Sequence, residues 1–241
     1  MKKDLEIIIP VFNEGENLIK VFDHLKKNVK RDFTVLVCYD HDSDDLFTYL
    51  ERLKEINVEF KLIKNNFLGP CGAVKTGLLY SNTEIKIVYP VDDLINGKII
   101  DDMIKKYEDG FDIVAPSRFM KGGSMKNCPL IKSFLVRFAS FTLFHLSSIP
   151  IEDASNGFRL FSNTIIKKFS IESKLGFAYS LELLVKAHRY SYNIAQIPSS
   201  WEEREIGKSK FKILKWLREY LRWYIYGLST NWLFKKIKNK K

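Results

Sequence analysis

Cysteine is scarce in this 241-residue chain, and its three copies, Cys38, Cys71 and Cys128, are odd in number and widely spaced. Such a set builds neither a disulfide framework nor a zinc cluster, and it suits a reducing, cytoplasmic setting. Long uninterrupted apolar runs are missing as well. The most apolar window, FLVRFASFTLFHLSSIPI, carries Arg137, His145 and several serines, so a partly buried or interfacial helix is expected there rather than a membrane span. The apolar run near the N-terminus is shorter than a signal-peptide core and is cut by Pro10 and Glu14, so no export signal is read. Repeats, low-complexity tracts and Pro/Gly-rich linkers are absent apart from the terminal KKIKNKK, and the core therefore reads as continuous. Acids are outnumbered, 29 against 39 Lys and Arg, for a formal charge of +10. That balance attracts an anionic partner: nucleic acid, a membrane surface or a phosphorylated substrate.

What is present is a 46% hydrophobic chain of a length that fits one large domain better than two small ones. Short apolar, β-branched runs recur as LEIIIPV, FTVLVCY, VEFKLIK, EIKIVYPV and FDIVAP, each followed by a polar or acidic turn. They read as buried parallel strands. Helix-period segments lie between them; Leu18, Val21, Phe22 and Leu25 sit at spacings that share one face. Strand alternating with helix calls for an α/β sheet flanked by helices, whose ligands collect at the carboxyl ends of the strands. NEGEN, DHDSDD and VDDL all fall at such ends and are expected to converge on one crevice.

The chemistry of those ends is mixed. In VCYDHDSDD, Asp44 and Asp45 suit helix capping. Asp40, where the strand stops, can instead accept hydrogen bonds from the N–H edge of a nucleotide base. Asp92 and Asp93 offer hard oxygen ligands for a divalent metal that bridges a diphosphate; turn and cap chemistry is the plainer use of the same pair. GPCGAVKTGLL lacks the Walker spacing and reads as a glycine-lined helix entry beside the sheet. SRFMKGG brings Arg118 and Lys121 to a flexible loop, EDASNGFRLF places Asp153 and Arg159 around an Asn-Gly turn, and WEEREIGKSKF gathers Arg204, Lys208 and Lys210. A solvated surface loop or a phosphate clamp would both account for that last cluster.

In order, these blocks resemble glycosyltransferase family 2, in its dolichol-phosphate or polyprenyl-phosphate mannosyl/glucosyltransferase-like branch. IIIPVFNEGENL is similar to the family's opening signature, YDHDSDD to its acidic turn, YPVDDL to its DxD-type strand end and PSRFMKGG to its GSR loop. DASNGFRLF, GFAYSLELLVKA and IPSSWEEREIGKSKF complete the match, which runs from about Leu5 to Phe211. The resemblance implies a GT-A nucleotide-diphospho-sugar transferase fold, a mixed but mostly parallel central sheet flanked by helices, and a metal-dependent, inverting hexosyltransferase using Mg²⁺ or Mn²⁺. It implies that Pro10, Phe12, Glu14, Asp40 and Asp92 line the nucleotide and that Asp93, with Asp92, holds the metal. Arg118, Arg204 and Lys208 would grip phosphates, and Asp93, Arg118, Glu182 and Arg204 would form the catalytic group, with Glu182 on the acceptor side. Two departures stand out: His41 replaces an acid in the family turn, and Val91-Asp92-Asp93 stands where members read Asp-x-Asp. Because a strand alternates faces, Asp92 and Asp93 cannot point identically. The QxxRW motif of processive members is missing.

The resemblance further implies a GDP- or UDP-linked hexose donor and a polyprenyl or dolichyl phosphate acceptor. A phosphate acceptor is already mostly ionised at pH 7, with a second pKa of about 6, whereas a sugar hydroxyl needs a carboxylate base, for which Asp153 or Glu182 would serve. Transfer to a glycan or surface-polysaccharide hydroxyl, and a non-catalytic nucleotide-sugar-binding relative, stay open as alternatives. Nucleic acid is not expected as a partner, because no recognition module is present. Residues 1–212 are expected to form the catalytic domain and 213–241 a basic, aromatic amphipathic tail. That tail suits a headgroup layer or, alternatively, a homodimer face. The branch includes enzymes with membrane spans after the catalytic domain; none is read here, so a peripheral enzyme on the cytoplasmic membrane face is expected.

Overall fold

The computed structural model of the protein describes residues 5–202 and 213–232. Its centre is β1 (Leu5–Val11), whose side chains are buried along nearly the whole strand. That burial follows from its place: β1 pairs in parallel with β2 (Thr34–Tyr39) on one side and β4 (Ile85–Val88) on the other. Ile7 and Ile9 pack against one helical layer and Ile8 against the opposite one, as the two-residue period of a strand requires. The sheet runs β3-β2-β1-β4-β7-β5-β8, with β3 at Phe60–Lys64, β5 at Ile113–Ser117, β7 at Arg159–Ser162 and β8 at Ile194–Pro198. Among the described strands of this sheet β7 alone is antiparallel, wedged between β4 and β5. The expectation of a mixed, mostly parallel sheet holds.

One layer contains α1 (Gly15–Asn28), which buries Leu18, Val21, Phe22 and Leu25 as their spacing requires, and α4 (Ile100–Glu108). A short 3₁₀ turn, Asp45–Tyr49, leads into α2 (Leu50–Glu55). The other layer contains α3 (Gly69–Tyr80) and α7 (Ala178–Arg189), with α6 (Asn163–Lys168) nearby. GPCGAVKTGLL is thus the helix α3 itself, not the loop before one. A Cβ at Gly77 would sit 2.6 Å from Ile8 Cγ2 and 2.8 Å from Cys38 Sγ; a side chain there would push the helix off the sheet.

One sheet escaped the periodicity reading, and the helix expected in the apolar window is present. A second, two-stranded parallel sheet joins β6 (Ser124–Lys126) to β9 (Ser200–Glu202). The apolar window forms α5 (Leu130–Ser147), closed by Ser148 in the left-handed conformation. The last described helix, α8 (Ile213–Trp232), packs on α5 and α7. Trp223 anchors it: the side chain is buried, and its Nε1 donates to Ser173 Oγ at 2.8 Å.

Lys86, on β4, is wholly buried and donates to the Thr83 carbonyl and to Asn163 Oδ1 at 3.1 Å. Burial pulls its ammonium down to about 8 from 10.5, because the charged form is poorly solvated there. Between those two values the unfolded chain binds more protons than the native one, so native stability rises with pH. Thermal unfolding of the wild type and Lys86→Met, followed from pH 7 to pH 10.5, will show the wild type gaining on the variant as the pH passes 8. A constant difference across that range would exclude this contribution.

Candidate active site

The chain leaves β1 in one direction to build β2 and β3 and then returns to the other side of β1 to build β4. Such a reversal opens a crevice beyond the carboxyl ends of β1 and β4. Pro10, Phe12 and Glu14 stand at the end of β1, Asp40 at the end of β2, Asp92 and Asp93 just past β4 and Arg118 just past β5. Because these strands are parallel to one another, all of these residues lie at one edge of the sheet. Phe12 is 47% exposed at the mouth of the crevice.

The acids after β2 fasten neighbouring loops. Asp44 Oδ2 accepts from Asn13 N and its Oδ1 from Leu46 N, while Asp45 Oδ1 accepts from Gly15 N at the start of α1. Both therefore act on helix or turn amides, as expected, and Asn13, at φ +50°, is held between them. Asp40 is almost fully buried and accepts from Asn65 Nδ2 at 2.6 Å and Gly69 N at 2.8 Å. Its carboxylate thus fixes the entry to α3 and keeps further acceptor capacity, since a carboxylate offers about four lone-pair sites.

The two acids after β4 differ in exposure, but they stand in a turn beyond the end of the strand at Val88, so the turn and not strand alternation sets them apart. Asp92 is exposed and Asp93 half-buried. Asp93 Oδ1 accepts from Ile95 N and Asn96 N, and Oδ2 from Asn96 Nδ2 at 2.6 Å, so this acid caps the turn Asn96–Ile99. Tyr89 Oη donates to the Asp93 carbonyl at 2.8 Å. Asn96 then exchanges two hydrogen bonds with Ser200 of β9, donating to its carbonyl at 2.7 Å and accepting from its N–H at 3.0 Å. An asparagine side chain here does the work of a strand residue, and it couples the acid loop to β9. Behind it, Gly97 N donates to His24 Nε2 at 3.0 Å.

Arg118 is gripped from below. Its N and Nε donate to Asp153 Oδ2 at 3.1 and 2.6 Å, and Nη2 donates to Asp153 Oδ1 at 2.9 Å and Ser155 Oγ at 2.7 Å. Burial alone would raise the Asp153 carboxyl; the Arg118 charge and hydrogen bonds outweigh it and hold the group below its ordinary value. Arg159 lies wholly buried beside this pair, with Nη1 donating to the Ser180 carbonyl at 2.6 Å. Burial brings its guanidinium down to about 10.

Glu182 departs from its expected place on the acceptor side. It is fully buried in α7 and accepts from Glu172 N at 2.7 Å, Ser173 N at 2.8 Å and Lys186 Nζ at 2.6 Å. Those bonds hold the 170–175 loop, and a carboxylate so enclosed cannot reach an acceptor. Asp153, the other carboxylate considered as a base, is fully buried in its pair with Arg118. Arg204 and Lys208, with Lys210, lie outside the described residues. Sequence reasoning singled out none of Asn13, Asn65 and Ser200: they carry no charge, although Asn13 stands in NEGEN and Ser200 in IPSSWEEREIGKSKF.

The family model described as glycosyl transferase family 2 matches residues 6–170. The chain belongs to that family. A dolichol-phosphate mannosyltransferase of Pyrococcus furiosus is 27% identical over 231 residues, covering 93% of this chain and 63% of that protein. The chain thus spans somewhat under two thirds of that relative's length. A polyprenol monophosphomannose synthase of Mycolicibacterium smegmatis is 26% identical over 120 residues, 44% of this chain and 45% of that one. Among solved structures, glucosyl-3-phosphoglycerate synthase from Mycobacterium tuberculosis, in complex with Mn²⁺, UDP-glucose and phosphoglyceric acid, superposes with a TM-score of 0.68. Identity is 14%, over 94% of this chain and 80% of that one. The fold is GT-A.

Among the described residues no three His, Cys, Asp or Glu side chains gather to hold a metal by themselves. The residues after β4 fit a different arrangement: one or two carboxylates from Asp93 and Asp92, with the remaining ligands drawn from a donor diphosphate and water, which suits Mg²⁺. Replacing Asp93 by Asn keeps one carbonyl acceptor for the turn but sets an NH₂ group against Asn96 Nδ2. Asp93→Asn is expected to lose about 1 kcal/mol of stability in chemical denaturation and to lose the Mn²⁺-dependent part of any thermal shift given by a nucleotide-sugar. A variant whose shift keeps its full Mn²⁺ dependence would remove Asp93 from the metal.

Proposed function

We propose that this family 2 glycosyltransferase is an inverting hexosyltransferase that moves sugar from a GDP- or UDP-linked donor to a polyprenyl or dolichyl phosphate. The observation that carries the choice of acceptor is the burial of both carboxylates considered as general base. Asp153 and Glu182 have no exposed surface, and each is bound to a cation. A hydroxyl acceptor needs a base at the reacting oxygen. A phosphate monoester, with a second pKa of about 6, arrives ionised and needs none. The names borne by the Pyrococcus and Mycolicibacterium relatives support the same reading.

In this mechanism the acceptor phosphate oxygen attacks the anomeric carbon in line, opposite the departing diphosphate, and configuration inverts. Phe12, with Pro10 and Glu14, lines the nucleotide; Asp40 takes its base from the β2 side. Arg118, aligned by Asp153 and Ser155, supplies fixed positive charge at the phosphates, and Arg204 and Lys208 add to it from the segment after β9. Charge arranged in advance of the reaction usually lowers the barrier more than any other single effect. A divalent ion held by Asp93 and Asp92 would neutralise developing charge on the leaving group. Among the described residues no helix is long and apolar enough to cross a membrane. The proposal includes a peripheral place on the cytoplasmic membrane face, held in part by residues 213–241.

The test is a transfer assay with GDP-mannose, UDP-glucose and their relatives, offered either a short polyprenyl phosphate or free sugars and oligosaccharides, with Mg²⁺ or Mn²⁺. Transfer to the polyprenyl phosphate is expected, together with a loss of about 100-fold or more in kcat for Arg118→Ala, the size typical of removing a charge-stabilising donor. Transfer to hydroxyl acceptors alone would overturn the acceptor, and nucleotide binding without turnover would overturn catalysis.

A further inference from the structure

Asn96 is 5% exposed, and both ends of its side-chain amide are in use. Nδ2 donates to Asp93 Oδ2 at 2.6 Å and to the Ser200 carbonyl at 2.7 Å, and Oδ1 accepts from Ser200 N at 3.0 Å. The amide fits in this sense only, because a flipped group would turn its oxygen toward two acceptors and its NH₂ toward a donor. Both backbone groups of Ser200 are thus taken by Asn96. Strand β6 reaches β9 through the neighbouring residue instead: the Ser199 carbonyl accepts from Ser124 N at 2.9 Å. Asn96 therefore stands where a third strand would add to the small sheet.

The Asp93 carboxylate is divided between two tasks. Oδ1 accepts from Ile95 N and Asn96 N, which is sufficient to cap the turn. Oδ2 takes no backbone amide, and among the described residues its one donor is Asn96 Nδ2. Each oxygen of an ionised carboxylate offers about two lone-pair sites, so one site on Oδ2 is left for a cation. The bond from Asn96 sets the direction in which that site points. The main chain beneath is fixed as well: buried Tyr89 donates to the Asp93 carbonyl at 2.8 Å, and Gly97 N donates to His24 Nε2 at 3.0 Å.

We infer that Asn96 is a positioning residue for the divalent ion: it aims Asp93 Oδ2 at the metal and takes its own place from β9. The inference rests on the reading that Asp93 is a metal ligand. Few side chains share that task. Val91, two residues earlier, is apolar and buried, and among the described residues no three His, Cys, Asp or Glu gather around an ion. The aim of each carboxylate that remains then counts for more, and a group that orients a metal ligand typically carries about 10- to 100-fold in metal affinity. Strand β9 also leads straight into the stretch of sequence that bears Arg204 and Lys208. One amide thus relates the place of the ion to the residues proposed to grip phosphates.

The experiment titrates Mn²⁺ into the full chain with saturating UDP or GDP and follows the protein-bound ion by electron paramagnetic resonance. Wild type, Asn96→Ala, Asn96→Leu and Asp93→Asn are compared. Leucine keeps the side-chain volume, so a packing defect in the alanine variant does not decide the result. Both Asn96 variants are expected to bind Mn²⁺ about 10- to 100-fold more weakly while keeping their metal-free affinity for the nucleotide, measured in EDTA. A merely structural asparagine would lower both affinities together or neither, and either result overturns the inference. Wild-type Mn²⁺ affinity in the Asn96 variants, with affinity lost in Asp93→Asn, removes Asn96 alone. Undiminished affinity in Asp93→Asn, or no Mn²⁺ bound by the wild type, removes the metal reading and the inference with it.

Discussion

The ion pair between Arg118 and Asp153 is the contact on which the candidate site depends. It joins the end of β5 to the loop before β7, and β7 is the strand that interrupts the parallel run of the sheet. An antiparallel strand delivers its amino end to the edge where its parallel neighbours deliver their carboxyl ends, so the 153–157 loop reaches the same crevice as the ends of β1, β4 and β5. Breaking a buried pair by removing one partner costs about 3–5 kcal/mol, because the remaining charge stays desolvated. The structure avoids that penalty by saturating Asp153 with two side-chain donors and a backbone amide from Arg118 and with Ser155. Arg118 is thereby held in one orientation, and in the proposed role it would meet a phosphate with little ordering cost.

Most of the sheet was legible because its strands are buried on both faces and read as unbroken apolar runs. The five runs named from sequence correspond to β1 through β5. What escaped has a common cause: β6 and β9 are three residues long and only partly buried, so they carry neither an apolar run nor an alternation. β7, in RLFS, is short, and nothing in a single strand's pattern states the direction of its neighbours. Helix α5 was seen as apolar, but a sequence window cannot say which side of such a helix is covered.

The site was legible by position and much less so by role. Residue type placed Asp40, Asp93 and Arg118 at strand ends, Asp153 beside an Asn-Gly turn and Glu182 in GFAYSLELLVKA, yet a carboxylate's task is decided by which amides lie within 3 Å of it. Glu182 illustrates the difference. The spacing of Glu182 and Lys186 is one helical turn and suggests an ordinary surface pair; burial and the two amides of the 170–175 loop make it a structural clamp instead. Asn96 is the converse case. Nothing in its type announces a role, and only tertiary contact with Ser200 shows that it connects the Asp93 turn to β9.

The chain's basic surplus is likewise divided by burial. Lys86 and Arg159 have no exposed surface, and Lys186 and Arg189 have little. Two of them, Lys86 and Arg159, take backbone carbonyls as partners rather than carboxylates. A buried cation so held is a cross-link: carbonyls in irregular loops lack the ladder donors that strands provide and must be satisfied by something. Arg159 joins the 153–157 loop to the start of α7 in this way, donating to the Ala154 and Ser180 carbonyls. Among the described residues five acids, Glu6, Asp40, Asp44, Asp153 and Glu182, are buried as well, so burial leaves the basic surplus of +10 undiminished at the surface. Among the exposed cations Arg137 stands apart. It lies at once on the acid-free helix α5 and against Phe119, next in sequence to Arg118, so it ties the outer helix to the loop that carries Arg118.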